Sequence, residues 1–220
     1  MKKLCLYYFS GTGMTKYIVE KLISEFEKHG VVIDCFKIED ANDRTGSLTD
    51  YDILGIAYPV HSFNAPKIVI DFAKRLQKTA GMNTFIIHTA GEEHKINYAA
   101  SDLLIRILSK RGYLVFLNKL IEMPSNFVVK YDGIRVKGIL EKANKDMPNL
   151  ANDIMELRHS VMQKSLGSRI IALLGRVEWL GTPAIGKFYY SDKSCVLCEH
   201  CIKSCPNKNI AVKKKTVRFK

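Results

Sequence analysis

Apolar and polar positions alternate in blocks along the first 120 residues. Short apolar, β-branched or aromatic runs at Lys3–Phe9, Val31–Ile38, Ile53–Tyr58, Thr84–Thr89 and Tyr113–Leu117 predict strands. Between most of them apolar residues recur at helical spacing: Ile18, Leu22 and Phe26, then Ile68, Phe72 and Leu76, then Leu103, Leu104, Ile107 and Leu108. Strands that are apolar on both faces need cover on both faces, and helix-length segments between them supply parallel crossovers. The predicted fold class is therefore α/β, a doubly wound, five-stranded parallel sheet. The interval from Ile38 to Ile53 is polar and shows no clear helix.

Past Gly133 the pattern is helical and charged as far as about Leu166, and Pro148 is expected to break it into two pieces. A glycine-punctuated stretch, Gly167–Gly186, carries the only tryptophan, Trp179. It reads as a connector packed on the first domain. The predicted domains are 1–166, a connector at 167–186, and a small module at 187–220.

Charge and cysteine placement single out that last module. The net charge is +12, and nine Lys/Arg against two acids between Gly186 and Lys220 account for +7 of it. Four of the six cysteines fall within eleven residues there. Crowding of this kind points to a metal site in a reducing compartment rather than a disulfide framework. Lys2 and Lys3 precede only six apolar residues, too few for a signal sequence. The apolar stretch Ile170–Leu180 is interrupted by Arg176 and Glu178 and is too short to span a bilayer. A cytoplasmic protein without a membrane span is expected.

The first strand runs into Ser10-Gly11-Thr12-Gly13-Met14-Thr15, where a helix is predicted to begin. Backbone N–H groups at a helix start, with hydroxyls from Ser10, Thr12 and Thr15, suit an anion. Glycines at 11 and 13 allow the backbone close to it. With no Lys or Arg within the loop, the chemistry fits a phosphate monoester dianion held by neutral donors. Lys16 stands where a Gly-x-Gly-x-x-Gly dinucleotide fingerprint needs its third glycine, and the Gly-Lys-Ser/Thr of a P-loop is absent, so neither motif applies. A turn that merely caps the helix is the plain alternative.

This loop after an apolar first strand resembles the FMN phosphate loop of flavodoxins, and the likeness in strand and helix order covers roughly residues 1–125. The resemblance implies that the flavin ring lies between the loops after strands three and four. Those are Tyr58–Pro66, with candidate contacts Pro59, Val60, His61, Ser62, Phe63 and Asn64, and Thr89–His94, with Thr89, Ala90 and Gly91. Met14 departs from the asparagine common in flavodoxins. His61 and His94 lie in these loops, but as loop histidines neither is assigned a chemical role.

Cys195-x2-Cys198-x2-Cys201-x3-Cys205-Pro206 has the spacing of the bacterial [4Fe–4S] run. Zinc, the alternative, usually pairs two Cys-x-x-Cys knuckles across a longer loop. In two-cluster ferredoxins the cysteine before proline serves the other cluster. A second run beyond Lys220 is thus expected, with one or two clusters in the longer chain; otherwise Cys205 closes a single cluster itself. Cys5 and Cys35 read as buried strand residues.

A flavodoxin-like domain followed by this run, together with Glu122-Met123-Pro124-Ser125-Asn126-Phe127, resembles the flavodoxin–ferredoxin fusion proteins. The implied role is electron transfer between FMN, a [4Fe–4S] cluster in a small ferredoxin-like module, and a redox partner. An acidic partner docking on the basic C-terminal module is expected. Binding of nucleic acid by Lys213, Lys214, Lys215, Arg218 and Lys220 is disfavoured, because Phe219 alone interleaves them. The alternative is a flavin-dependent reductase of quinones or other small molecules.

Overall fold

The computed structural model describes residues 2–41, 48–125, 131–213 and 215–219. The chain divides into two compact units, Met1–Ala172 and Leu173–Lys220. In the first, strands β1 (Lys3–Tyr8), β2 (Val32–Lys37), β3 (Ile53–Pro59), β4 (Met82–Ala90), β5 (Tyr113–Glu122) and β6 (Ser160–Val161) form one parallel sheet in the order β2-β1-β3-β4-β5-β6. Helices α1 (Met14–Lys28) and α4 (Gly133–Met155) pack together, as do α2 (Lys67–Arg75) and α3 (Asp102–Lys110). The apolar runs of β1 and β3 are buried almost throughout, which a sheet covered on both faces requires. Edge strand β2 is only half-buried.

The sheet has six strands rather than the five expected. β5 continues past Leu117 to Glu122, and β6 pairs with it at Leu117 and Asn118. Asn118 and Lys119 ended the apolar run in the sequence, yet Asn118 is buried and its Nδ2 donates to Ser101 Oγ at 2.8 Å. An amide whose donor is bonded can continue a strand, even with its oxygen Oδ1 left without a partner among the described residues. In the polar crossover only short 3₁₀ turns at Ile38–Asp40 and Leu48–Asp50 are described.

Pro148 does not split α4. The helix runs through it, with Ile139, Ala143, Met147, Leu150, Ala151 and Ile154 forming a continuous buried stripe. Large side chains each contribute about 1.5–3 kcal/mol when buried, so the stripe outweighs the roughly 3 kcal/mol cost of an interior proline. Pro148 itself is exposed, as is Asn144, whose carbonyl loses its intrahelical donor at the proline. Pro148→Ala restores an N–H at this position and is expected to raise stability by about 1–2 kcal/mol in urea unfolding. An unchanged or lower stability would show that the proline is built into the packing.

Helix α5 (Leu166–Gly175) crosses the unit boundary. The segment expected as a connector is thus largely helical, since α6 (Glu178–Gly186) follows α5. The second unit also holds the short helix α7 (His200–Lys203) and an antiparallel hairpin of β7 (Ile210–Lys213) and β8 (Thr216–Phe219), which Tyr190 joins through a bridge to Arg218. No helix among the described residues is long and apolar enough to cross a membrane.

Candidate functional site

Sheet order reverses at β1, which sends β2 to one side and β3 to the other. The carboxyl edge at such a point is a crevice, because the two connections leave in opposite directions. Three of the predicted loops open there. After β1, Gly13 adopts φ 99° and ends the loop as the left-handed cap residue just before α1. Ser10 Oγ accepts from the backbone amides of Gly13 and Lys16, both at 3.2 Å. Gly11 and Thr12 are exposed, and a Cβ added at Gly11 or Gly13 would meet no atom within 4 Å. The protein itself therefore makes no steric demand for glycine at 11.

Thr15 behaves differently from the other two hydroxyl residues. It is 1% exposed, and its Oγ1 lies 2.9 Å from Thr89 Oγ1 at the end of β4. This buried pair ties the loop after β1 to the loop after β4. Val60 N–H donates to the Thr89 carbonyl at 2.8 Å, so the loop after β3 is tied to the same residue. One residue thus fixes the spacing of all three loops. Met14 is half-buried and packs against the main core.

In the loop after β3, His61 and Asn64 exchange backbone hydrogen bonds of 2.9 Å around Ser62 and Phe63, whose φ values are 45° and 60°. Two successive left-handed residues give the tight turn of a two-residue hairpin. His61 is exposed, with its ring edge-on to Phe9 at 6.2 Å. Pro59, Val60, Ser62 and Phe63 are half-exposed, but Asn64 turns inward and is 1% exposed.

Ala90 and Gly91, in the loop after β4, are half-buried. A Cβ at Gly91 would lie 2.9 Å from that of Ser125 and 3.2 Å from the hydroxyl of Tyr131, which donates to the Gly91 carbonyl at 2.7 Å. Glycine at 91 is therefore needed for close packing, unlike glycine at 11. Sequence reasoning missed Tyr131, whose ring carries the Arg135 guanidinium 3.9 Å from its centroid. Nothing local marks it. His94 caps the following turn by accepting from Ile96 N–H at 3.2 Å. Of the stretch Glu122–Phe127, Asn126 and Phe127 lie outside the described residues.

A buried polar group beneath these loops was also missed. His88, inside the apolar run of β4, is 0% exposed, with Nδ1 3.4 Å from the Tyr58 hydroxyl. Its Nε2, like Asn118 Oδ1, has no hydrogen-bond partner among the described residues. Burial, helped by nearby Lys164, lowers the His88 pKa to about 3, and burial raises that of Tyr58. The signal available was a histidine amid Phe85, Ile86 and Ile87. A cleft of about 400 Å³ lies elsewhere, on the β2 side of α1, lined by residues including Tyr8, Lys16, Glu20 and Phe36. None of the residues of the loops after β3 and β4 lines it, so that cleft is not taken as the site.

No protein-family model matches the sequence, and no curated protein matches it. Solved structures do. Flavodoxin 2 from Bacillus cereus superposes with a TM-score of 0.53 at 17% identity, covering 70% of this chain and 98% of that one. A Klebsiella pneumoniae protein assigned as a quinone reductase gives 0.56 at 11%, covering 74% and 89%. An azoreductase from Bacillus anthracis gives 0.50 at 9%, covering 70% and 100%. The fold is flavodoxin-like. At these identities the likeness establishes the architecture of the sheet and helices and leaves the chemistry to the residues.

Beyond the flavodoxin-like sheet, the cysteine run is not gathered. Cys195 and Cys205 are half-exposed, Cys198 and Cys201 are exposed, and all four are free thiols. Among the described residues no three of His, Cys, Asp and Glu come together as a metal-holding group. The expected ferredoxin-like cluster site is therefore not formed by Cys195, Cys198, Cys201 and Cys205 as placed. The physical reason is that thiols do not attract one another, so a loop of this kind closes around its metal rather than before it. Local geometry is set by turns instead: Leu197 and Glu199 have φ of 55° and 60°, and Asn209 N–H points to Cys205 Sγ at 3.4 Å. Burial pushes the Cys5 and Cys35 thiols up to about 12 and about 11, which leaves them protonated and poor ligands.

Proposed function

We propose that the protein binds FMN at the carboxyl edge of β1, β3 and β4 and works as an electron-transfer flavoprotein of the cytoplasm. The observation that carries this reading is the three-loop junction at Thr89, with open space over Gly11 and Gly13 beside the start of a 15-residue helix. The first amides of α1 have no intrahelical acceptor and the helix dipole is positive there, so a phosphate dianion would be held by backbone donors. Thr12 stands exposed at that loop. Pro59, Val60 and Phe63 offer partly apolar surface for a ring, and the loop at Ala90 and Gly91 would border its edge. FMN, when bound, supplies the exchange of one or two electrons. The protein's part is to hold the phosphate, orient the ring and limit water around it.

The finer reading, that the run Cys195–Cys205 carries a [4Fe–4S] cluster, rests on spacing alone. An acidic redox partner suits the basic second unit, in which Lys213, Lys215 and Arg218 lie on or beside the β7–β8 hairpin. Lys214 and Lys220 lie outside the described residues. Anaerobic purification with flavin, iron and sulfide counts tests both levels. Stoichiometric FMN and a flavin absorption spectrum are expected; a protein that cannot be loaded with FMN overturns the main reading. FMN without iron or sulfide removes only the cluster. Rapid turnover of quinones, with no electron exchange to a carrier protein, would favour the reductase alternative.

A further inference from the structure

We propose that Asn64 is a positioning residue that makes the order of helix α5 depend on occupancy of the flavin loop. The inference rests on the FMN reading above and adds a consequence for a distant segment. Asn64 closes the turn whose central residues, Ser62 and Phe63, both have positive φ. Neither is glycine, and such conformations persist only where surrounding contacts hold them. The Asn64 amide supplies those contacts: Nδ2 donates to the Ser62 carbonyl at 2.9 Å and to the Ala172 carbonyl at 2.7 Å. Both N–H directions of a buried amide are thereby used, one within the turn and one on α5.

On the α5 side the acceptor is one of the helix's last four carbonyls, which lack intrahelical donors. Apolar packing gives this helix little hold. Ser168 and Ala172 are buried, whereas Leu166, Ile170, Leu173 and Leu174 are between 51% and 75% exposed. Attachment is instead polar and has two points. Asp102, 6% exposed at the start of α3, pairs with Lys164 and with Arg169 Nε, the latter at 3.5 Å. Asn64 on Ala172 is the second. The turn is itself anchored next to the first point, because Ala65 N–H donates to the Ala100 carbonyl at 2.9 Å. Turn, α3 start and α5 thus form a closed ring of polar contacts, of which Asn64 is the member that a ligand on the turn can move. A ring seated against Pro59–Phe63 would hold the turn in the form that presents Nδ2 to Ala172. Helix ordering and FMN affinity are then linked, and the linkage is reciprocal.

Hydrogen exchange by mass spectrometry on the full chain, with and without FMN, reads this directly. In the unaltered protein FMN is expected to slow exchange of peptides spanning 164–175 about threefold. In Asn64→Ala, brought to full FMN occupancy at a concentration raised to offset any loss of affinity, the same peptides exchange at one rate in both states. A 164–175 response that is absent from the unaltered protein, or equal in Asn64→Ala, overturns the proposal. Failure of the unaltered protein to bind FMN overturns the underlying reading instead. Ile170→Pro, made on the exposed face of α5, approaches from the other end and leaves Asn64 in place. It is expected to weaken FMN about threefold to fivefold, and undiminished affinity counts against the coupling even if the Asn64 variant fails to fold.

Discussion

Gly11→Asp is expected to leave the fold intact while weakening FMN binding at least about a hundredfold. Two facts separate folding from binding at this position. A side chain added at Gly11 would meet no protein atom within 4 Å, and its backbone lies outside the left-handed region, so aspartate is accommodated. Surface changes of this sort shift stability by about 0.5 kcal/mol or less. The carboxylate would, however, stand where a phosphate dianion approaches the first amides of α1. Like charges about 4 Å apart repel by about 4 kcal/mol at a near-surface dielectric, and solvent screening reduces this to about 3 kcal/mol, a hundredfold. Titration with FMN and with riboflavin gives the check. Riboflavin lacks the phosphate, so its affinity should be nearly the same in both proteins. Equal losses for FMN and riboflavin, or none for FMN, would remove the phosphate from this loop.

The contrast between Gly11 and Gly91 shows what could be read in the sequence. Both are glycines in predicted ligand loops, and the chain pattern cannot tell them apart. Gly91 is required by Ser125 and Tyr131, which are 34 and 40 residues further along the chain, whereas Gly11 faces open space. Strands β1, β3 and β4 were legible because burial on both faces demands uninterrupted apolar runs, and half-buried edge strand β2 because Val32, Ile33 and Phe36 keep it largely apolar. The latter half of β5 and all of β6 were not, because the Asn118 amide donor is bonded to Ser101, a long-range pairing without periodicity. Pro148 misled for a related reason, since a local rule about one hydrogen bond was outweighed by a stripe of buried contacts along the whole of α4.

The loop after β1 was legible as a motif, but the roles of its hydroxyls were not. Ser10 accepts from two amides of its own loop, and Thr15 faces Thr89, 74 residues away. Asn64 was expected among ring contacts, yet its side chain reaches Ala172. The cysteine run was the plainest signal in the sequence and the least realised in the structure, because spacing encodes ligands and not the folding that gathers them.

His88 yields the other large expected effect, on acid stability. Burial holds its folded-state pKa at about 3 against an ordinary value of 6.5. Between those values the unfolded chain binds a proton that the folded protein refuses. Stability is therefore full above pH 6.5 and falls as pH is lowered, by up to about 1.4 kcal/mol per pH unit from this residue alone. Between pH 7 and pH 4.5 the unaltered protein should lose about 2.5 kcal/mol more than His88→Leu, measured by urea unfolding at both pH values. At pH 7 the two should differ by about 1 kcal/mol or less, because the imidazole makes only a long contact to Tyr58 and leaves Nε2 unbonded. Parallel acid losses would show that His88 takes up its proton in the folded state. Thr89, the adjacent residue, ties together the three loops proposed to hold FMN, so acid that opens the sheet at His88 also separates those loops. FMN release in the unaltered protein should follow the same pH window, and His88→Leu should retain the flavin to lower pH.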